Sequence, residues 1–175
     1  EALRGLPNAR LARLWDADGA RAAAMAERFG SQIFETPEAL LESGLDGVIV
    51  CSENVYHRKL VELAAPRVGH ILCEKPLATT VEDAEAMIAA CERHGARLMS
   101  AFPVRFAPPV VRLKAMLDEG ALGPILSVAA TNHGRMPGGW FADPALAGGG
   151  AVMDHTVHVA DLLRWFWTTE FEEVY

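Results

Sequence analysis

Along the first hundred residues, short apolar runs alternate with segments that have the pattern of amphipathic helices, and this alternation constrains the fold most strongly. The helical segments lie at residues 19–29, 54–65 and 80–94, with a shorter one beginning at residue 37. The apolar runs lie at residues 11–15, 47–51, 70–73 and 97–101. Parallel strands joined by right-handed helical crossovers produce this order. We therefore predict an α/β domain over residues 1–101, with a doubly wound parallel sheet.

Capping residues support the predicted helices. Thr36, Asn54 and Thr80 each precede a helical segment, where a polar side chain can accept a hydrogen bond from a free backbone N–H. Gly30 and Gly95 follow two of the segments, and glycine commonly ends a helix in a left-handed conformation. These residues predict where the helices begin and end.

The pattern changes after Phe102, which predicts a second domain over residues 102–175. Its first helix begins at a Pro-Pro pair, and a later helix follows a triple glycine at residues 148–150. The predicted elements are, in order, a helix at residues 108–120, a strand at 125–131, a loop rich in glycine and proline at 134–150, a helix that reaches Trp167, and a strand at 171–175.

Charge and hydropathy argue against two classes of partner. The 175 residues carry a formal net charge of -7, so the chain gains no attraction to a nucleic-acid backbone. No apolar run approaches the roughly 18 residues that a membrane span needs, and residues 1–20 do not resemble a signal peptide. Cys51, Cys73 and Cys91 lack a C-x-x-C spacing, which predicts reduced core residues. We expect a cytoplasmic protein.

Asp16 ends the first apolar run, where a dinucleotide-binding sheet places a carboxylate that holds both hydroxyls of the adenosine ribose. Taken alone, an aspartate in Asp-Ala-Asp-Gly is more simply a turn residue. In such a sheet a glycine fingerprint precedes the acidic residue by about 20 positions, and these 175 residues contain no G-x-G-x-x-G. We therefore expect the chain to begin inside the first helix, with residues 1–6 as its end, and to lack the glycine loop and first strand.

Lys75, Asp154 and His158 are the main candidates for chemistry. Lys75 follows the third apolar run within Glu-Lys-Pro, so it emerges at the carboxyl end of a parallel strand, where ligands of these sheets bind. Asp154 and His158 are four positions apart and share one face of the helix after the triple glycine. Taken singly, Lys75 could be a solvated loop lysine, and His158 a core histidine bonded to Asp154 or Asp161. Asp161 could equally form a surface pair with Arg164.

Two other kinds of site are less well supported. Asp154, His155, His158 and Asp161 could together bind zinc or iron, because imidazoles and carboxylates on one helix can ligate these metals. However, the two histidines point only partly the same way, and no other ligand follows in a suitable spacing. The sequence also contains no G-x-S-x-G turn of a serine hydrolase. We therefore predict neither a metal site nor hydrolase chemistry.

Taken together, these motifs resemble the Gfo/Idh/MocA family of oxidoreductases over essentially the whole chain. The family-like segments are Asp16, Ser52-Glu53-Asn54 with His57, Cys73-Glu74-Lys75-Pro76-Leu77, Arg105-Phe106, and Gly148-Gly149-Gly150 followed by Asp154, His158 and Asp161. The resemblance implies a Rossmann-type domain lacking its first strand. It also implies the start of an α+β domain, whose open, mostly antiparallel sheet commonly forms a homo-oligomer interface. Departures from the family pattern are Glu53, Pro103 and His155.

The resemblance also assigns roles by motif. Lys75 corresponds to the active-site lysine, Asp154 to the adjoining carboxylate, and His158 to the acid/base beside the substrate hydroxyl. Residues on the cofactor side are Asp16, Ser52, Asn54, His57, Glu74 and Lys75. Residues on the substrate side are Arg105, His133 and His155.

The implied function is an NAD(P)-dependent dehydrogenase acting on the CH–OH groups of a sugar, an inositol or a related polyol. His158 would remove the proton of a secondary alcohol while the attached carbon gives a hydride to the nicotinamide. Since the Asp16 carboxylate would repel a 2′-phosphate, we expect NAD rather than NADP. Two alternatives stay open: a non-catalytic, dinucleotide-binding regulator on this fold, or a fragment that is inactive on its own.

Overall fold

The computed structural model describes residues 2–175, and the first hundred form two parallel sheets connected by helices. One sheet pairs β1 (Arg13–Leu14) with β2 (Gln32–Ile33). The other has the order β3-β4-β5, with β3 at Gly47–Val50, β4 at His70–Cys73 and β5 at Arg97–Ser100. No ladder joins β1 to β3 within residues 2–175. The predicted α/β architecture with a parallel sheet is confirmed.

Helices connect these strands, and four of the five predicted capping residues lie at helix ends. Thr36 and Thr80 each accept a hydrogen bond from a backbone N–H of the first turn, at 3.1 Å. Gly30 and Gly95 end two helices with positive φ angles of 66° and 69°. The helices are α1 (Gly19–Phe29), α2 (Pro37–Glu42), α3 (His57–Ala64) and α4 (Val81–His94).

A core between α3, α4 and the larger sheet fixes the end of β4. Val61, Ile71, Cys73 and Met87 are the largest fully buried side chains in it. Fully burying an aliphatic side chain of this size contributes about 1.5–3 kcal/mol. Because Ile71 and Cys73 belong to β4, the loop that follows this strand has a rigid base.

Two local predictions for this part of the chain are wrong. Asn54 does not cap a helix; it begins a short 3₁₀ turn before α3 and is buried. Cys51 is exposed rather than in the core, because it follows β3, whose outer edge has no partner within the described residues. The helix end predicted at residues 1–6 coincides with a 3₁₀ turn over Ala2–Gly5, and its place at the end of a longer helix stays a prediction; Glu1 lies outside the described residues. Strand β2 has no apolar run, so the sequence did not indicate it.

Beyond Phe102 the described residues contain helices and loops but no strand. The helices are α5 (Pro108–Asp118), α6 (Pro144–Ala147) and α7 (Val157–Trp167), and a π-helical turn at Val152–Thr156 precedes α7. Within residues 2–175, no helix has both the length and the apolar character needed to cross a membrane.

The strands predicted at residues 125–131 and 171–175 are not present. Both segments lack a ladder, since neither finds a partner for its backbone N–H and C=O groups among residues 2–175. Leu126 and Val174 are consequently among the most exposed apolar side chains. The open antiparallel sheet of the second domain therefore stays a prediction.

Candidate active site

An ion pair joins the loop after β4 to the turn before α7. The Lys75 ammonium donates to the Asp154 carboxylate, and Lys75 Nζ also lies 3.3 Å from the Asp154 backbone oxygen. Their side chains are only 19% and 20% exposed. Partial exclusion of water makes such a pair stronger than one on an open surface. The structure therefore brings together two of the three predicted catalytic residues, which are 79 positions apart in the chain.

Local geometry presents Lys75 to this pair. Cys73, the last residue of β4, is fully buried, and Lys75 lies two positions beyond it. The backbone N–H of Lys75 donates to the Glu74 carboxylate at 3.2 Å, which turns the Glu74 side chain toward the loop. Thus β4 anchors the loop, and the lysine side chain extends from it toward Asp154.

His158 lies one helical turn after Asp154 and has an unusual environment. Its Nδ1 atom is buried and has no hydrogen-bond partner among the described residues. Burial lowers the pKa of His158 below its ordinary value of 6.5, and the nearby Lys75 charge lowers it further. Asp154 and Asp161 act in the opposite direction, whereas His155 adds to the lowering. The imidazole is therefore neutral near pH 7, the state in which it can accept a proton.

Asp161 is paired with Arg105, and the predicted surface pair with Arg164 is wrong. The Arg105 guanidinium donates to both carboxylate oxygens of Asp161, at 2.7 Å from Nε to Oδ2. The rings of Phe102 and Trp165 lie 5.6 and 5.8 Å from the guanidinium carbon. Since these contacts occupy Arg105, they do not support its predicted contact with substrate. Arg164 instead pairs with Glu170 on the surface.

His155 lies near the carboxylate oxygen of Asp154 that Lys75 does not bind. Its Nε2 atom lies 3.7 Å from Asp154 Oδ2, while Lys75 binds Oδ1. The His155 ring lies so close to Gly134 that a Cβ atom there would be 2.1 Å from Cε1. Asn132 also donates to the His155 backbone oxygen at 3.0 Å. This segment lies beside the ion pair, and His133 within it is exposed, so both histidines remain predicted substrate residues.

On the cofactor side, Asp16 has a partner that the sequence did not indicate. Arg21 binds both of its carboxylate oxygens, with N–O distances of 2.6 and 2.7 Å. The backbone N–H of Asp18 also donates to Asp16, at 2.9 Å. The hydrogen bond from Arg21 is the main reason that the pKa of Asp16 is below its ordinary value. Asp16 is thus ionised and partly neutralised by a neighbouring cation.

Asn54 and His57, two of the predicted cofactor residues, have buried side chains. Asn54 is 5% exposed and His57 is fully buried. Both bind backbone oxygens of neighbouring segments. These contacts do not support a role of the two side chains in cofactor binding, which stays a prediction. Ser52 and Glu74 are only partly buried and remain predicted cofactor residues.

Two family profiles match the chain. One, described as an oxidoreductase family with an NAD-binding Rossmann fold, matches residues 1–102. The second, described as the GFO/IDH/MocA C-terminal domain, matches residues 110–175.

Curated relatives and a solved structure agree with these profiles. The D-xylose 1-dehydrogenase [NADP(+)] of Haloarcula marismortui is 38% identical over 68% of this chain and 35% of its own length. The inositol 2-dehydrogenase of Rubrobacter xylanophilus is 32% identical over 97% of this chain and 48% of its own length. The aldose-aldose oxidoreductase of Caulobacter crescentus, solved with glycerol, superposes with a TM-score of 0.82 at 30% identity, over 96% of this chain and 52% of that one. This chain therefore spans about half the length of these relatives or less.

Proposed function

Because the chain belongs to the Gfo/Idh/MocA oxidoreductase family, we propose that it acts in NAD(P)-dependent hydride transfer with a sugar, an inositol or a related polyol. The observation that carries this proposal is the convergence of Lys75, Asp154 and His158. A charged lysine beside a neutral histidine matches the needs of alcohol oxidation, which releases a proton and develops negative charge on oxygen. The names of the relatives support a polyhydroxylated substrate.

His158 is the proposed proton acceptor. Because its Nδ1 atom is buried, Nε2 is the nitrogen through which it would exchange a proton with the substrate hydroxyl. Its lowered pKa keeps the ring neutral near pH 7, and in the tautomer with the proton on Nδ1 the Nε2 atom can accept a proton. In the reverse direction, the protonated ring returns the proton to the oxygen.

Lys75 and Asp154 have complementary roles in this proposal. The Lys75 ammonium stabilises negative charge on the substrate oxygen, because the attraction is strongest when the proton has left. Asp154 fixes the position of Lys75 through its Oδ1 atom. The second oxygen of Asp154 is near His155, so the carboxylate also connects the lysine to the proposed substrate side.

The described residues fit a nicotinamide cofactor at the edge formed by the strand ends. Asp16 follows β1 and Lys75 follows β4, both beyond the carboxyl ends of parallel strands. Asp16 Oδ2 accepts one hydrogen bond from Arg21 and keeps acceptor capacity for a ribose hydroxyl. When bound, the nicotinamide supplies the acceptor for the hydride.

A cofactor screen tests the function. We suggest joining this chain to the segments of the Rubrobacter xylanophilus relative that lie before and after the matched region, to give a hybrid enzyme. The candidate residues in the hybrid all come from this chain. We expect reduced nicotinamide to form with at least one sugar, inositol or polyol. Tight cofactor binding without reduction by any of them would instead favour a regulator.

We predict a pH profile that reports on His158. The kcat/KM for oxidation should rise with pH through a midpoint below 6.5, because only the neutral imidazole accepts a proton. Asp154→Asn should move this midpoint to lower pH. It removes a negative charge that raises the pKa of His158 and leaves the opposing charge of Lys75 unbalanced. Unchanged or higher midpoints in Asp154→Asn would contradict the assignment.

We propose NAD as the preferred cofactor, since the Asp16 carboxylate would repel a 2′-phosphate. Arg21 weakens this repulsion because it binds both oxygens of the carboxylate. Arg21→Ala should therefore increase the ratio of kcat/KM for NAD to that for NADP, and Asp16→Ala should decrease it. Arg28→Ala, in the last turn of α1, is the control. A preference of about tenfold or more for NADP in the unmodified hybrid, about 1.4 kcal/mol, would overturn the proposal.

We also propose a domain boundary near residues 101–102, assembly as a homo-oligomer, and a cytoplasmic location. The gap between the two profile matches, at residues 103–109, supports the boundary. Exposed apolar side chains such as Leu126 and Val174 support an interface in the second domain. The free thiols of Cys73 and Cys91 suit a reducing compartment.

A further inference from the structure

A buried amide connects the loop after β3 to the end of α6. Asn54 Nδ2 donates to the backbone oxygen of Ala147 at 2.8 Å, across 93 positions of the chain. Ala147 is the last residue of α6, so its carbonyl is one that the helix itself leaves without a partner. The hydrogen bond satisfies a buried donor and this helix-end acceptor together, and losing either partner would leave the other unpaired.

Gly148, the next residue, packs directly on the loop that carries Lys75. Its φ angle is 74°, which disfavours side chains other than hydrogen. A Cβ atom at this position would lie 2.2 Å from Thr79 Cγ2 and 2.6 Å from Thr79 Cβ. Thr79 is four positions after Lys75. Thus the glycine segment, residues 148–150, contacts the lysine loop, residues 74–79, at a position where only glycine fits.

The His57 ring lies between the two loops that make these contacts. Its Nδ1 atom lies 3.0 Å from the Pro76 backbone oxygen, and its Nε2 atom lies 3.1 Å from the Ser52 oxygen. The ring has no exposed surface. This buried ring packs the loop of Asn54 against the loop of Thr79, and residues 147–148 contact both loops.

We propose that Asn54, Thr79, Ala147 and Gly148 form a positioning joint that holds Asp154 in contact with Lys75. The joint fixes the start of the glycine segment, and Asp154 follows Gly148 by six positions. A hydrogen-bonded ion pair needs its atoms within about 3 Å, so a small shift of this segment would separate the pair. The catalytic role of the Lys75–Asp154 pair rests on the proposed function, whereas the existence of the joint does not depend on it.

His158 provides a readout of the joint that does not require activity. The groups facing its ring are Lys75, Asp154, Asp161 and His155. If the segment moves away from the lysine loop, water reaches the ring and Lys75 becomes more distant. Since burial and Lys75 are the main causes of its lowered pKa, the pKa should rise toward the ordinary value.

The test is an NMR titration of the His158 imidazole in the 175-residue chain, with the signal assigned through His158→Gln. We expect Asn54→Ala and Gly148→Ala each to raise the pKa of His158. Asn54→Ser is the milder variant if Asn54→Ala does not fold, because its hydroxyl is too short to reach Ala147. Adding Thr79→Gly to Gly148→Ala should partly restore the lowered pKa of His158, because it removes both atoms that the new methyl group meets.

Two controls separate positioning from a general loss of stability. Asn8→Ala makes the same change at an exposed site, and Val61→Ala weakens the core without touching the joint. Neither should move the titration of His158. An unchanged titration in folded Asn54→Ala or Asn54→Ser, or an equal shift in Val61→Ala, would overturn the joint.

In the hybrid enzyme, Asn54→Ala should lower kcat while the KM for the cofactor changes little, since misplacing reacting groups by about 1 Å can cost about 10²-fold. An equal change in both parameters would contradict a positioning role. An inactive hybrid with the expected shift of His158 would refute the proposed function and leave the joint standing.

Discussion

Replacing His158 with alanine in the hybrid enzyme should lower kcat by about 10²-fold or more, the range expected for loss of a general base. Cofactor affinity should change little, because His158 acts on charge that develops only during the reaction. Lys75→Ala should behave similarly, and Lys75→Arg should not rescue it, since a planar guanidinium does not replace a compact ammonium. Stopped-flow turnover and cofactor titration measure the two quantities.

The exposed histidine His94 offers a matched control for this experiment. It ends α4, outside the Lys75–Asp154 cluster, so His94→Ala should keep normal turnover. Near wild-type kcat in His158→Ala would show that His158 is a structural histidine. Near wild-type kcat in Lys75→Ala would likewise show that Lys75 pairs with Asp154 but takes no part in the reaction.

The largest expected loss of stability comes from Arg105→Ala in the 175-residue chain. Asp161 is 5% exposed and receives two hydrogen bonds from Arg105, so the substitution leaves a buried carboxylate without its cation. Breaking a buried pair in this way typically costs about 3–5 kcal/mol, and we expect about 3 kcal/mol because Arg105 is 34% exposed. Urea unfolding followed by circular dichroism measures the loss.

Arg164→Ala is the control for the second prediction, because its pair with Glu170 is exposed to solvent. We expect a much smaller loss there. The double variant Arg105→Met with Asp161→Leu should recover most of the stability, since it removes both charges together. A loss in Arg105→Ala no greater than in Arg164→Ala would show that the pair does not stabilise the fold. In that case the predicted substrate role of Arg105 would regain support.

Local sequence signals predicted those parts of the fold that depend on neighbouring residues. Thr36, Thr80, Gly30 and Gly95 mark helix ends because capping involves only one or two turns of chain. The apolar run at His70–Cys73 coincides with β4 because both of its edges are paired and its core face is covered. The family resemblance implies that Asp154 adjoins Lys75, but the ion pair between them depends on tertiary structure.

The sequence did not reveal interactions between distant polar residues. Asparagine is a common helix-capping residue, yet the Asn54 amide donates to the backbone oxygen of Ala147. No local pattern indicates that these two residues are close in space. Likewise, Asp161 has Arg164 as a neighbour on its own helix but pairs with Arg105, 56 positions away. The predicted strand at residues 125–131 does not form for a related reason. A strand needs a neighbouring strand to pair its backbone N–H and C=O groups, and the apolar residues of one segment do not supply it.

Hydride transfer itself is tested most directly by isotope labelling. The hybrid enzyme would be incubated with oxidised cofactor and polyols that carry deuterium at their CH–OH carbons, and the cofactor would be analysed by mass spectrometry. We predict that deuterium appears in the reduced nicotinamide, and that His158→Ala and Lys75→Ala form far less of it in the same time. Bound cofactor that acquires no deuterium from any sugar, inositol or polyol would contradict the proposed function.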